Sequence, residues 1–397
     1  MDSLRKIYYM QPAEHQSAYE QRFSAPFARH ITINIREFNH EKEYPAFYYY
    51  PEELVLALQR IYKKHRAFLS VLESVPPMVQ YQFSLSCIVD EVGSTSEIEG
   101  IHSSKKELKA VLDGESIGSQ FSSVVKKYNM LMSGEAISFE TVADIRRFYD
   151  EFAYAEVLKD KPSNKLDGKL FRGDDVNVLT ATGKILHRGV FPEEKIISYL
   201  NEGLKILHDE NIPFLVRMAV FHYIFVYVHP FYDGNGRTAR FISSYFIAKH
   251  MHHLPALMLS VVIKNSVKKY YELIHDTELE INCGDLTPFV MGFVAIIEQA
   301  LGTASQKLTR KMHQMEKYAE KLKNLASGDK FGQVLYRILL EGSMFFGQGV
   351  TMEQLREFTG KSRNTIQSRL KNIPAKHLIV RKSSKYFYKL NLLALKD

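Results

Sequence analysis

One twelve-residue stretch, His229-Pro230-Phe231-Tyr232-Asp233-Gly234-Asn235-Gly236-Arg237-Thr238-Ala239-Arg240, constrains this chain more than any other. It follows an apolar run from Phe214 to Val228, opened by Pro213, that reads as a buried helix. Pro230 stops that helix, so His229 is delivered at the mouth of a core. Phe231 is expected to face inward and anchor the loop. Gly234-Asn235-Gly236 can take backbone angles closed to other residues, so successive N–H groups can point into one concavity. A helix starting near Arg237 adds the positive end of its dipole. Arg237 and Arg240, three apart, share a helix face and offer planar forks of donors to phosphate oxygens. Asp233 is a hard oxygen ligand, suited to Mg²⁺ (or Mn²⁺) bridging phosphates. His229 can be neutral near pH 7 and accept a proton. Singly, each feature is ordinary. Together they equip a site for a nucleoside triphosphate beside a general base. The sequence has no G-x-x-x-x-G-K-[ST] loop, which excludes a P-loop NTPase.

The 397 residues suffice for two or three domains, and an apolar fraction of 45% supports real cores. Cys87 and Cys283 stand far apart with no Cys or His at ligand spacing, so neither a disulfide framework nor a zinc site is expected. The start, Met1 to Lys6, lacks the apolar segment of a signal peptide, and the run 214–228 is too short to span a bilayer. A cytoplasmic protein without membrane partners is the expectation. The net charge of +7 is unevenly placed: residues 330–397 carry 13 Lys/Arg against 4 Asp/Glu, leaving 39 against 41 elsewhere. The basic excess therefore belongs to the C-terminal segment, which points to an anionic partner there.

The patterning predicts a mainly α chain. Pro51-Glu52-Glu53 opens an amphipathic helix, and further helices are expected over 81–96, 119–133, 136–158, 192–208, 237–250, 264–279 and 287–302. Residues 1–45 are mixed and polar, with no clear reading. Short β-prone runs at 171–190, around Ala181-Thr182-Gly183-Lys184, read as a hairpin. Residues 303–325, rich in Lys, Glu, Gln and Leu, read as an exposed connecting helix closed by Ser327-Gly328-Asp329. The expected division is an N-terminal helical region (1–80), a catalytic domain (81–302), a connecting helix (303–329) and a C-terminal domain (330–397).

The stretch 229–240 resembles the signature of Fic-domain proteins, H-P-F-x-[DE]-G-N-G-R-x-x-R, at every defined position. The resemblance implies transfer of AMP from ATP to a Ser, Thr or Tyr hydroxyl of a target protein. It implies His229 as the base for that hydroxyl and Asp233 as the ligand of Mg²⁺ on the α- and β-phosphates. It makes Gly234, Asn235 and Gly236 the anion hole, with Arg237 on the β-phosphate and Arg240 on the γ-phosphate. The hairpin at 171–190 is similar to the family's target-holding flap. Tyr270 and Tyr271 fall in a segment similar to the family's adenine side. Thr95-Ser96-Glu97-Ile98-Glu99-Gly100 matches the inhibitory pattern [ST]-x-x-x-E-[GN] at the end of a predicted helix, near 84–99. Thr95, Glu99 and Gly100 are then a built-in brake, with Glu99 on Arg240 in the place of the γ-phosphate. Glu99 positioning water for the reverse reaction, AMP removal, is the related alternative.

Residues 330–397 read as helix, helix, turn, helix, hairpin, a layout that resembles a winged helix. Thr351 to Gln354 is a capping pattern, and Ile366 and Leu370 face inward on the helix 363–371. On a DNA-binding reading, Arg363, Asn364, Gln367, Arg369 and Lys371 lie on the recognition face and Lys382 and Lys385 on the wing. A protein contact or a homodimer is the competing use of the same surface. The whole chain is thus read as an autoinhibited adenylyltransferase. The second reading is a DNA-binding regulator with a nucleotide-sensing site.

Overall fold

The computed structural model describes residues 2–395 except 117, 180–184, 326–328, 345–348 and 383–384. The chain is mainly helical, and among the described residues its strands form three small sheets. The first 80 residues depart from the helical region expected. Helices α1 (Leu4–Met10) and α2 (His15–Phe23) lead into an antiparallel hairpin, β1 (Arg29–Ile35) and β2 (Tyr44–Tyr48). Ile31, Ile33 and Ile35 are buried between exposed neighbours, the period of a half-buried strand. Tyrosine hydroxyls of Tyr199 and Tyr227 accept the backbone N–H groups of Asn34 and Arg36 and fix the hairpin to the helical core. Helix α3 (Glu52–Glu73) follows, with Glu52 and Glu53 against its positive end and a buried stripe of Leu54, Leu58, Ile61, Phe68 and Leu72.

Helix α4 (Pro77–Ile98) starts four residues earlier than the pattern suggested, because Pro77 occupies the first helical position, where its missing N–H costs nothing. It ends at Gly100, whose φ of 77° lets Ile101 N–H reach back to the Ser96 carbonyl at 3.0 Å. Helices α5 (Lys105–Leu112) and α6 (Ser122–Ser133) pack beside it. The expected helix 136–158 begins later, at the Thr141/Asp144 capping box: α7 (Val142–Tyr149) runs through a π turn (Asp150–Tyr154) into α8 (Ala155–Asp160).

Strands β3 (Asn177–Leu179) and β4 (Ile185–Arg188) pair antiparallel where the second hairpin was expected; its turn, 181–184, lies outside the described residues. Helix α9 (Glu193–His208) then packs on α10 (Phe214–Val228), all fifteen of whose residues are buried. Gly203 permits that approach, since a Cβ there would meet Ile224 at 3.2 Å. Helix α11 (Asn235–His250) packs on the same central helix, followed by α12 (His253–Ala256), α13 (Leu259–Asn265) and α14 (Val267–Glu278).

The segment 303–325 is not a separate exposed connector. Helix α15 runs unbroken from Thr287 to Leu325, and Ala304, Leu308 and Leu322 on one face are buried. The polar residues that suggested exposure occupy the opposite face, as on any amphipathic helix. Within it, Thr287–Lys323 has the length and apolarity to cross a membrane, but 56% of its most apolar window is packed inside. Ser327 and Gly328, read as the boundary, lie outside the described residues. Beyond them come α16 (Lys330–Met344), β5 (Val350–Thr351), α17 (Met352–Thr359), α18 (Arg363–Lys371), β6 (Leu378–Lys382) and β7 (Tyr386–Leu390), with β7 central in the sheet. Thr351 and Gln354 form a capping box, and Ile366 and Leu370 are buried. Helix α16 also touches α4, so the C-terminal unit rests on the helix that carries Glu99.

Candidate functional site

The chain turns from α10 into α11 through residues that hold one another. His229 caps α10 in the left-handed region (φ 52°), a conformation few non-glycine residues adopt and one that concentrates at functional sites. Phe231 is fully buried and stacks face to face on Tyr149 at 3.6 Å. Asn235 clasps the same loop: its side chain accepts from Phe231 N–H at 2.9 Å and donates to Phe231 C=O at 2.7 Å. The Asn235 side chain is thereby committed to loop shape, and a helix start such as that of α11 presents backbone N–H groups without intrahelical partners. Gly234 (φ 76°) lies where a Cβ would press on Tyr149 at 3.3 Å. Asp233 is exposed at this helix start, and its backbone carbonyl accepts from the Tyr149 hydroxyl at 3.0 Å. One exposed carboxylate at a helix N-terminus is a donor of the kind Mg²⁺ takes, since that ion keeps most of its shell as water and substrate oxygens.

The two arginines are buried and each faces a carboxylate. Arg240, 1% exposed, donates Nε to Thr95 Oγ1 (2.9 Å), Nη2 to the Thr95 carbonyl (3.0 Å) and Nη2 to Glu99 Oε1 (2.6 Å). Glu99 leans over Gly236: a Cβ there would lie 2.3 Å from Glu99 Oε1. Glycine at 236 therefore serves this approach as well as the turn. Arg237, expected on a phosphate, instead pairs with Glu156 of α8 at 2.9 Å, both side chains nearly buried. Burial pushes the Glu156 pKa up against the pull of that arginine. Nothing in the spacing of the sequence pointed to Glu156.

Arg172 also escaped the sequence reading. It is fully buried and donates Nε to the His229 carbonyl (2.8 Å), Nη1 to the Asp174 carbonyl (2.6 Å) and Nη2 to the carbonyls of Val190 (2.6 Å) and Val228 (3.2 Å). One guanidinium thus ties the residue after the β3–β4 hairpin to the end of α10. Arg172→Leu strands these carbonyls together and should cost about 3–5 kcal/mol. A thermal melt should show the midpoint falling by about 4–6 °C; a change of less than a degree would remove this role.

His229 lies in the same region, its ring 6.4 Å from that of His187 on β4. Burial, then the charges of His187 and Arg172, push the His229 pKa down to about 3, so at pH 7 the imidazole is neutral and able to accept a proton. His187 is shifted up instead, because its Nδ1 lies 2.8 Å from Glu278 Oε2 and its Nε2 2.6 Å from the Tyr227 carbonyl. A cavity of about 110 Å³ opens here, lined by Glu99, His229, Gly236, Arg240, Tyr270, Tyr271 and residues of α14 and the hairpin. Tyr271 is 38% exposed at its wall. Tyr270 is buried and places its hydroxyl 2.8 Å from His222 Nε2. It therefore serves the core at least as much as the cavity.

The structure brings Glu99, His229, Gly236 and Arg240 to one cavity, with Thr95 bonded to Arg240; Asp233 and Arg237 lie beside them on the turn and first helical turn of α11. The C-terminal candidates form a separate group: Arg363, Asn364, Arg369, Lys371, Lys382 and Lys385 are exposed and Gln367 is half-buried. Arg369 pairs with Asp329 at 3.1 Å, and Lys382 covers the Tyr386 ring.

Residues 141–247 match the model of the Fic/DOC family. The matched Fic segment runs from α7 into α11 and holds the whole of the histidine-to-arginine stretch. Over 100 residues it is 36% identical to the protein adenylyltransferase fic-1 of Caenorhabditis elegans, a match covering 24% of this chain and 18% of that protein. Over 102 residues it is 32% identical to the protein adenylyltransferase Fic of Nematostella vectensis, covering 26% and 22%. The chain spans about a fifth of the length of these curated relatives. A crystal structure of a Fic family protein from Desulfovibrio desulfuricans G20 superposes with a TM-score of 0.51 at 16% identity, over 84% of this chain and 96% of that one. This likeness shows the fold.

Proposed function

We propose that this chain transfers AMP from ATP to a hydroxyl side chain of a target protein and is held inactive by Glu99. The observation that carries the reading is the buried Arg240–Glu99 pair in the cavity shared with His229: a cation suited to a terminal phosphate, covered by a carboxylate, next to a neutral imidazole. His229 takes the proton of the target Ser, Thr or Tyr. The freed oxygen attacks the α-phosphorus, and the bond to the bridging oxygen breaks to release pyrophosphate. The N–H groups of Gly234, Asn235 and Gly236 face the α- and β-phosphates. Arg237 reaches the β-phosphate by leaving Glu156, and Arg240 the γ-phosphate by leaving Glu99. Mg²⁺ (or Mn²⁺), held by Asp233, supplies charge neutralisation on the polyphosphate. The β3–β4 hairpin holds the target segment by backbone pairing.

The relatives named adenylyltransferases support the nucleotidyl class, and the position of the label tests it. In parallel incubations with Mg²⁺, α-labelled ATP should mark protein and γ-labelled ATP should not. The opposite pattern would assign phosphoryl transfer and end the proposal.

For the C-terminal unit the exposed basic row on α18 and on β6–β7 favours a second role, contact with DNA phosphates. Binding to duplex DNA that weakens steeply between 50 and 200 mM salt, and is lost on charge reversal at Arg363 and Lys371, is the expected result. Binding unmoved by both substitutions would leave the surface to protein contacts.

A further inference from the structure

The helix that carries Glu99 is held from two sides. Thr95 and Glu99 of α4 face Arg240. Asp90, Gly93, Ser94 and Glu97 stand at i, i+3, i+4 and i+7, a second face of the same helix. At about 100° per residue the two faces look in nearly opposite directions. The second face floors a cavity of about 250 Å³ whose walls come from α5, α13 and α15. Gly93 and Ser94 put no bulky side chain between the two acids, which keeps that floor open.

Charge is sorted around this cavity. Among the described residues, both of its carboxylates, Asp90 and Glu97, belong to α4. Its three ammonium groups belong to the elements opposite: Lys105 of α5, Lys264 of α13 and Lys307 of α15. Asp90 accepts from Lys105 at 2.7 Å and from Lys307 at 3.0 Å, and Glu97 pairs with Lys264. These pairs anchor α4 from behind. The Lys105, Lys264 and Lys307 side chains are 76%, 40% and 35% exposed, so each can turn from its acid without leaving water. Ion pairs of this kind are worth little singly, and a ligand meeting all three cations at once displaces them readily. Three lysines against two acids leave an excess of positive charge, and a lysine ammonium is a point charge suited to phosphate oxygens. The cavity far exceeds the room one water needs, so a phosphate group fits with part of its hydration.

On the reading of Glu99 as the brake, we propose that this cavity binds a compact phosphate-bearing anion, which draws the three lysines from Asp90 and Glu97 and lets α4 withdraw Glu99 from Arg240. The anion competes with the two carboxylates for the same cations and repels them once they are displaced. It therefore binds the released helix better than the anchored one, and that differential affinity is what shifts the equilibrium. The site lies behind α4, away from the face that meets Arg240, so the anion acts on the brake and not on the substrate.

Inorganic phosphate is the probe, at about 50 mM ionic strength with chloride as the matched control. Two measurements on the full chain separate binding from release. In equilibrium dialysis, with the catalytic site filled by α,β-methylene ATP, labelled phosphate should bind the parent chain. It should bind Lys105→Gln/Lys264→Gln about tenfold more weakly or worse, the loss expected when two charge-assisted contacts go. In label incorporation from saturating α-labelled ATP, phosphate should raise the parent rate about fivefold or more and leave the Glu99→Gly rate within about twofold. Asp90→Asn/Glu97→Gln should outpace the parent without phosphate and no longer respond to it. No binding, or equal binding in the lysine variant, overturns the site. Binding that leaves the parent rate unchanged overturns its link to the brake, and so does equal stimulation of the parent and Glu99→Gly. If Glu99→Gly is itself no faster than the parent, the brake reading falls and the regulatory claim with it, while the dialysis still decides whether the cavity holds an anion.

Discussion

Replacing Glu99 by glycine should raise the initial rate of label incorporation from α-labelled ATP by about a hundredfold. The arithmetic comes from the Arg240 pair. A charge-assisted bond between groups 1% and 22% exposed is made only when Glu99 leans over Gly236. Displacing it for the γ-phosphate costs about 2–3 kcal/mol, and each 1.4 kcal/mol is a factor of ten. The substitution suits the backbone. Glu99 ends α4 with φ −90° and ψ 8°, so no internal helical residue is lost and glycine adopts these angles freely. Glu99→Gln separates charge from shape: it keeps the side chain over Gly236 but weakens the pair, and should give an intermediate rate. Glycine and glutamine variants no faster than the parent chain would exclude Glu99 as a brake.

The same variant carries a second signature. Arg240 without Glu99 keeps Thr95 and the neighbouring Tyr270 hydroxyl, a cation in the core among neutral partners. The free Glu99→Gly protein should therefore melt lower than its parent, and ATP should restore more stability than ADP does, because only ATP brings a γ-phosphate to the vacated guanidinium.

Much of this site is local in sequence and for that reason readable there. His229 to Arg240 fold within one turn and one helix, so residue type and spacing fix their relation before any tertiary contact forms. The Glu99–Arg240 contact joins residues 141 apart, yet it is foreshadowed by a helix ending in a glutamate and a glycine. Arg172, Glu156 and Glu278 had no such marker. Arg172 acquires its role only when the hairpin, the loop before it and the end of α10 bring four carbonyls to one guanidinium. Glu156 and Glu278 look like ordinary helical acids until α8 and α14 are packed. The β1–β2 hairpin is a different failure, since Ile31-Thr32-Ile33-Asn34-Ile35 displays the period-two alternation openly and the surrounding polarity obscured it. The split imposed on α15 came from reading a change in surface composition as a change in structure; the buried row Ala304, Leu308 and Leu322 continues the same stripe.

His229→Asn in the Glu99→Gly background should lower the transfer rate by about 10²- to 10⁴-fold, the usual worth of a positioned general base, while ATP affinity stays within a few-fold. Asparagine is the better probe than alanine because residue 229 has φ 52°, a region asparagine tolerates. Rate loss accompanied by equal loss of ATP binding would mean that the loop, not the base, had been damaged. The pH dependence of the Glu99→Gly rate supplies an independent check. Burial, with His187 and Arg172 nearby, holds the His229 pKa near 3, and a lowered histidine pKa means that the neutral, proton-accepting form predominates at every pH above it. Between pH 8 and pH 5 the rate at saturating ATP should therefore show no acid limb from this residue. An acid limb centred near 6.5 that disappears in His229→Asn would place the imidazole in water, away from the buried geometry on which the proton transfer depends.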